Sequence, residues 1–335
     1  MNTNDLQLFS LASSRPFAER VSKALSVALS PHEERSFGDG EHKTRPLVSV
    51  RRRDVYVIQS LYGDRSLNGN ERQSVNDKLC RLLFFIGALK DAGAASVSAV
   101  VPYLCYARKD RRTKSRDPLT TRYVATLFEA IGTDRVLVLE AHNLAAFQNA
   151  FRCQAEHLYA DDHFAAHFTE HPDKQNIVVV SPDVGGVKRA ERFRDHFSRR
   201  FKIPVTSAFI EKYRSKDVVS GGALVGEVDG KTVIIFDDMI GSGNTIMRAV
   251  NACHNSGARH IYAAAAHGLF NGNADETLDN PLLEHILVSD SIAPDRLRNE
   301  RVKAKLTIID TAPLFAEAIR RLHSGGSISE LLGME

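Results

Sequence analysis

Between Val233 and Thr245 the chain reads Val-Ile-Ile-Phe-Asp-Asp-Met-Ile-Gly-Ser-Gly-Asn-Thr: an apolar run, an acidic pair, a small-residue turn and the mouth of a helical pattern. Gly241, Ser242 and Gly243 let the backbone approach a ligand closely and turn several N–H groups toward one spot. The segment from Asn244 and Thr245 onward adds the positive end of a helix, so a phosphate is the natural guest. Asp237 and Asp238 cannot share that phosphate comfortably. Carboxylates so placed are better employed accepting hydrogen bonds from sugar hydroxyls or helping hold a cation. A phosphate beside a diol describes ribose 5-phosphate. The bland alternative is a glycine turn with two solvated acids. The string is neither a Walker loop, having no Gly-Lys-Ser/Thr, nor a G-x-G-x-x-G turn.

Such a turn needs a strand to deliver it. Apolar runs recur at Val55–Gln59, Val97–Pro102, Val136–Leu139, Ile177–Ser181, Thr206–Ile210, Val233–Phe236, Ile261–Ala266 and Ile286–Ser289. Several are apolar at every position, as strands covered on both faces are. Helical patterns lie between them at Asn76–Ala92, Thr120–Ala130, Gly186–Phe197 and Thr245–Ser256. Strand and helix in alternation predict an α/β protein with doubly wound parallel sheets. Ligands of such sheets bind at the carboxyl ends of the strands, where the Asp237–Thr245 turn would stand. The polar, His-rich segment 157–171 predicts the break between two domains of comparable size, at 1–158 and 159–318, with a tail at 319–335 that packs back on the first domain. Leu61–Ser74 and Ser215–Gly222 read as loops, the second as a mobile flap.

Composition narrows the function classes. The 335 residues are 43% apolar and 25% charged, with a net charge of +3, which gives little support to a broad nucleic-acid surface. Cys80, Cys105, Cys153 and Cys253 are too scattered for a compact disulfide framework or a zinc site, and a reduced cytoplasmic protein is expected. Neither a signal-like apolar run nor a membrane-spanning stretch is present in the sequence.

The Val233–Thr245 string resembles the ribose-phosphate loop shared by type I phosphoribosyltransferases and ribose-phosphate diphosphokinases, also called phosphoribosyl diphosphate synthetases. The remainder of the chain, from Leu8-Phe9-Ser10 to Ser324–Leu331, is similar to the diphosphokinases. Phe37-Gly38-Asp39-Gly40-Glu41 looks like their F-x-D-G-E element, which reaches the nucleotide of ATP from a neighbouring subunit. Arg108-Lys109-Asp110 is similar to the end of their Y-A-R-Q-D stretch, where the arginine and the next residue contact ATP; Lys109 stands where glutamine is usual. Read without the resemblance, Arg108–Arg116 is a solvated basic loop. Leu139-Glu140-Ala141-His142 resembles D-L-H, whose histidine helps hold magnesium, and Ser181-Pro182-Asp183-Val184-Gly185-Gly186 resembles S-P-D-x-G-G, with Asp183 the magnesium-linked carboxylate. Ile210–Arg214 looks like the start of the catalytic flap, with Lys212 and Arg214 on the two positions that matter and Tyr213 replacing an arginine.

The resemblance implies two doubly wound domains of the type I phosphoribosyltransferase kind and a single displacement. The anomeric hydroxyl of ribose 5-phosphate, held by Gly241–Thr245, Arg214 and Asp237, attacks the β-phosphorus of MgATP and AMP leaves. Mg²⁺ is the cofactor. Lys212 and Arg214 close over the transferring group, and no general base is evident. It further implies a dimer-based homo-oligomer, often a hexamer, and an effector site for phosphate and ADP that includes Ser49, Arg51, Ser327 and Ser329. No nucleic acid or membrane partner is expected. Three rivals predict different sequences. A non-catalytic regulatory homologue would lose flap cations or magnesium residues. A nucleobase phosphoribosyltransferase would not need the F-x-D-G-E and R-x-D elements, and a transcriptional regulator would carry a DNA-binding helix pair or a strong basic face.

Overall fold

The structure is a computed structural model that describes residues 5–64, 73–168, 176–215 and 218–333, of which 212–215 and 218–222 are described by backbone alone. Two compact units emerge: Met1–Tyr159 with Ala312–Glu335, and Ala160–Thr311. Part of the Leu61–Ser74 loop lies outside the described residues.

The first unit contains β1 (Leu6–Ser10), α1 (Arg15–Leu25), β2 (His32–Ser36), β3 (His42–Pro46), β4 (Asp54–Ile58), α2 (Val75–Asp91), β5 (Ser96–Val101), α3 (Thr120–Ala130), β6 (Arg135–Leu139), α4 (Leu144–Ala150) and β7 (Gln154–Leu158). Its main sheet is parallel throughout, in the order β1-β4-β5-β6-β7, with an isolated parallel bridge from Leu8 to Leu29 on the far side of β1. Strand residues alternate between the two faces. Phe9, Val55, Val57, Val97, Val136 and Val138 pack with Leu82, Phe85 and Ile86 of α2 and Phe128 of α3. β2 and β3 form a separate antiparallel hairpin whose tip is Phe37–Glu41. At the start of α2, Ser74 Oγ accepts from Asp77 N at 3.2 Å and Asp77 returns the bond to Ser74 N at 2.7 Å, a capping box.

The second unit contains α5 (Asp161–His167), β8 (Ile177–Ser181), α6 (Val187–Phe201), β9 (Thr206–Ser215), β10 (Val218–Val225), β11 (Thr232–Ile240), α7 (Asn244–Asn255), β12 (His260–Gly268), α8 (Ala274–Thr277), β13 (His285–Ser289), α9 (Glu300–Ala304) and β14 (Leu306–Ile309). Its sheet runs β10-β9-β8-β11-β12-β13-β14, parallel except where β10 turns back on β9. Val178, Val180, Val233, Ile235, Ala263 and Ala265 form one face, under Ile246, Ala249, Val250 and Cys253 of α7. Phe236, from the other set of alternate positions, stacks on Phe193 of α6 with centroids 4.2 Å apart. Helices therefore cover both faces, and the strands have no polar side to show in sequence.

Order reverses between β8 and β11: β9 lies on one side and β11 to β14 on the other. A sheet opens a crevice at such a reversal, beyond the carboxyl ends of the flanking strands. Ser181-Pro182-Asp183 leaves β8 there, and Asp237 and Asp238 stand near the end of β11.

Three details differ from the sequence expectations. The polar segment from residue 157, read as a break between domains, begins with the end of edge strand β7 and continues into α5. The Ser215–Gly222 connection is part of a hairpin, pairing Arg214 with Val219 and Lys212 with Gly222, because valines flank its glycines and favour extended backbone. The return to the first unit begins at Ala312. There α10 (Ala312–Ser324) and α11 (Ile328–Leu331) follow, and Phe315 meets Phe17 of α1 edge to face at 5.4 Å. His323 Nδ1 lies 2.7 Å from Asp54 Oδ2, fastening α10 to the start of β4.

Candidate active site

In the second unit the acidic pair belongs to strand β11 itself, with Asp237 in register with Ala265. The chain leaves that strand after Ile240 and turns into α7 at Gly243, whose φ of +84° is left-handed. A Cβ on Gly243 would lie 2.9 Å from Leu278 Cγ and Cδ2, so both backbone conformation and space require glycine. Gly243 has no side chain with which to cap α7, which leaves the first-turn amides to a guest. Phe270 N donates to Ile240 O at 3.0 Å and Asn271 N to Gly241 O at 3.2 Å, so the β12–α8 connection braces the turn from behind.

Asp237 and Asp238 are not equivalent. Asp238 is 2% exposed, whereas Asp237 is half-buried. Asp238 N donates to Asp237 Oδ1 at 2.9 Å. Burial, and then the neighbouring Asp238 carboxylate, push the Asp237 carboxyl well above the usual carboxylate range, while Arg189 pulls it down. Arg189 Nη1 lies 3.3 Å from Asp237 Oδ1 and 3.4 Å from Asp238 Oδ1.

The Ser181–Gly186 turn reaches the same place because β8 and β11 are neighbours, Val180 being paired with Ile235. Ser181 Oγ donates to Asp183 O at 2.6 Å, and Asp183 Oδ1 accepts from Gly186 N at 3.2 Å. A Cβ on Gly186 would lie 2.8 Å from Ser181 Oγ and 3.8 Å from Asp237 Oδ1. Glycine at 186 thus avoids Ser181 Oγ, while the acid stands at ordinary contact distance.

In the first unit the tip of the β2–β3 hairpin is tied by Phe37 N to Glu41 O at 2.8 Å, Gly40 N to Phe37 O at 3.1 Å and Glu41 N to Asp39 Oδ1 at 3.1 Å. Phe37 is 40% exposed, with the Arg35 guanidinium 5.2 Å from its ring centre. Arg108, Lys109 and Asp110 follow β5 in the loop before α3. Asn143, next to His142 after β6, donates to Asp110 Oδ2 at 2.6 Å, so the carboxyl ends of β5 and β6 are joined. Lys109 Nζ is 2.6 Å from Asp117 Oδ2, and Asp117 also accepts from Thr113 Oγ1 and from the amides of Thr113 and Lys114. These donors hold the Asp117 carboxyl far below the usual carboxylate range. Ser49 O accepts from Gln7 Nε2, and Arg51 lies in the same β3–β4 turn. Ser327 Oγ caps α11 by accepting from Glu330 N at 3.0 Å, with Ser329 inside that helix. The side chains of Lys212 and Arg214 lie outside the described residues.

Within the second unit, Asp183, Asp237, Asp238 and Gly241–Thr245 thus come together at one sheet edge. His142, Arg108–Asp110 and Phe37–Glu41 belong to the first. Arg189 and Asp117 were not singled out in the sequence, where each is one charge among many on a helix or in a basic loop. Among the described residues, no group of three or more His, Cys, Asp or Glu is placed to hold a metal, and no helix is long and apolar enough to cross a membrane.

A reversal crevice flanked by an acidic strand end, a glycine turn and a helix mouth, in a protein of two α/β units, defines the type I phosphoribosyltransferase class of fold. Residues 6–132 match the family model described as the N-terminal domain of ribose phosphate pyrophosphokinase, and residues 210–333 match the phosphoribosyl synthetase-associated domain. The chain is 37% identical over 330 residues to the ribose-phosphate pyrophosphokinase of Caldanaerobacter subterraneus, covering 98% of each. It is 36% identical over 328 residues to ribose-phosphate pyrophosphokinase 2 of Enterococcus faecalis, covering 97% of this chain and 95% of that one. The crystal structure of phosphoribosylpyrophosphate synthetase from Mycobacterium smegmatis superimposes with a TM-score of 0.84 at 32% identity, covering 96% of this chain and 100% of that one. The chain belongs to the ribose-phosphate pyrophosphokinase family.

Proposed function

We propose that this protein transfers the diphosphoryl group of MgATP to the 1-hydroxyl of ribose 5-phosphate, giving 5-phosphoribosyl 1-diphosphate and AMP for nucleotide biosynthesis. The observation that carries the reading is the uncapped mouth of α7 beside the half-buried Asp237. Gly241–Thr245 grip the 5-phosphate through backbone amides, and Asp237 accepts from the ring hydroxyls. This fixes the sugar so that its anomeric oxygen meets the nucleotide in line. Phe37, Asp39, Gly40, Glu41, Arg108, Lys109 and Asp110 are assigned to ATP. Lys212 and Arg214, on a hairpin that can close, stabilise charge on the transferring group and keep water out.

Magnesium fits the donor chemistry. It prefers oxygen ligands and keeps few protein contacts when nucleotide phosphates supply the rest, and Asp183 offers a half-buried carboxylate at a strand end. Asp183 in the second unit and His142 in the first are the residues assigned to it. Bound with ATP, Mg²⁺ neutralises charge on the phosphate chain.

The assigned effector residues Ser49, Arg51, Ser327 and Ser329 suit an anion, phosphate or ADP, and the free cysteines suit a reducing cytoplasm. A dimer-based homo-oligomer, of the kind that is often a hexamer in this family, completes the reading. A coupled assay tests the function: AMP should form from ATP only when ribose 5-phosphate is present. AMP formation without the sugar, or none with it, would overturn the assignment. Phosphate and ADP titrated into the same assay test the effector site, which a flat response to both would dismiss.

A further inference from the structure

We infer that Arg189 is the positioning residue of the sugar site: it holds Asp237, against the buried Asp238, in the orientation that meets the hydroxyls of ribose 5-phosphate, and acts on the substrate only through it. The inference rests on the function proposed above and names a residue to which that reading gives no role.

One nitrogen, Arg189 Nη1, stands between two carboxylate oxygens, 3.3 Å from Asp237 Oδ1 and 3.4 Å from Asp238 Oδ1. Its side chain is 10% exposed and that of Asp238 3%, so water does little to separate the charges. Two adjacent carboxylates drawn out of water repel each other, and the loss of charge from one of them is the ordinary relief. A guanidinium lodged against both offsets part of that repulsion. It also fixes Asp237 Oδ1, so that the carboxyl is held as an acceptor toward the more open side, where a sugar hydroxyl would donate.

The backbone is built to deliver this cation. Arg189 lies in the first turn of α6, and α6 starts directly after the Ser181–Gly186 turn. Gly186 carries no Cβ, and one placed there would lie 3.6 Å from Arg189 Nη1 as well as 2.8 Å from Ser181 Oγ. Glycine at 186 therefore clears Ser181 Oγ where α6 begins, and from the first turn of that helix Arg189 reaches across from the β8 side to the acids of β11. Both contacts are made by one nitrogen, so a lysine ammonium that reached the same spot would supply much of the same charge.

Steady-state kinetics of Arg189→Met, Arg189→Lys and the double variant R189M/D238N test the inference. R189M should raise the KM for ribose 5-phosphate by about tenfold or more, with the KM for MgATP within about twofold and kcat reduced less than KM is raised. R189K, which keeps the charge, should recover at least half of that loss on a logarithmic scale. Removing one of the two acids in R189M/D238N should lower the ribose 5-phosphate KM below that of R189M alone, since less charge then needs a partner. An R189M enzyme with a ribose 5-phosphate KM within twofold of wild type overturns the inference, as does a loss that neither R189K nor D238N relieves. Should R189M fail to fold, R189Q, which also removes the charge, against wild type decides. A selective rise of threefold or more in the sugar KM supports the role, and no change overturns it. Wild-type enzyme that forms no AMP in response to ribose 5-phosphate would sink the proposed function itself. A working wild type with an indifferent R189M sinks only the role of Arg189.

Discussion

Lys109 Nζ lies 2.6 Å from Asp117 Oδ2, so the cation that replaces a usual glutamine in the nucleotide stretch is matched by an acid eight residues along the same loop. Asp117 cancels the added charge of Lys109 within the loop, and Arg108 stays among the cations available to a triphosphate. Lys109→Gln should therefore change the KM for MgATP by no more than about twofold, whereas Arg108→Ala should raise it about tenfold or more. Initial rates over a range of MgATP at saturating ribose 5-phosphate check both. A large loss in K109Q would show that Lys109 leaves Asp117 to bind the nucleotide.

Lys212 is assigned to the transition state more than to either ground state. Lys212→Ala should lower kcat by about a thousandfold or more while both KM values stay within about threefold. Near-normal turnover would remove the β9–β10 hairpin from the chemistry.

Asp237 is expected to trade stability for substrate binding. Its carboxyl is raised in the folded protein by burial and by Asp238. A carboxyl whose folded pKa exceeds its unfolded one contributes stability that is fully present below the unfolded value. That contribution is lost as pH rises from there through the folded value. Asp237→Asn removes the titration, so the variant should gain on wild type as pH rises above about 4 and melt a few degrees higher near neutrality. The same change should weaken ribose 5-phosphate binding by about tenfold or more. Melting curves across pH, with titration calorimetry of the sugar, check both halves.

Gly243 and Gly186 should fail for different reasons when substituted. Gly243→Ala combines a φ of +84° with a contact to Leu278, so it should cost about 1–3 kcal/mol of stability and relax only in part when Leu278 is shortened. Gly186→Ala has no such backbone strain and meets chiefly Ser181 Oγ, so Ser181→Ala in the same chain should restore much of the lost activity. Denaturant melts and initial rates on the four variants separate strain from crowding.

Much of this was legible in the sequence because the information is local. Inner strands of each sheet are apolar on successive residues, over 136–139 in the first and over 177–180 and 233–236 in the second, since helices cover both faces. The Asp237–Thr245 and Ser181–Gly186 strings announce themselves because a tight turn from strand into helix tolerates few residue types. Edge strands were harder to see. Gln154–Leu158 carries a glutamine, a glutamate and a histidine, since one side of it has no neighbouring strand and its exposed positions need not be apolar. The Phe37–Glu41 element was recognised as a motif, but its place at the tip of a polar hairpin was not, as His32–Ser36 has no apolar run.

What residue order determined by itself was the alternation of strand and helix, the glycine turn after the acidic pair and the family it resembles. Tertiary structure decided which distant residues share that turn. Arg189 meets Asp237 across 48 positions of sequence only because β8 and β11 lie side by side in parallel. Such pairings depend on sheet order and register, which are settled by burying whole faces at once and leave no mark in the spacing of any one segment.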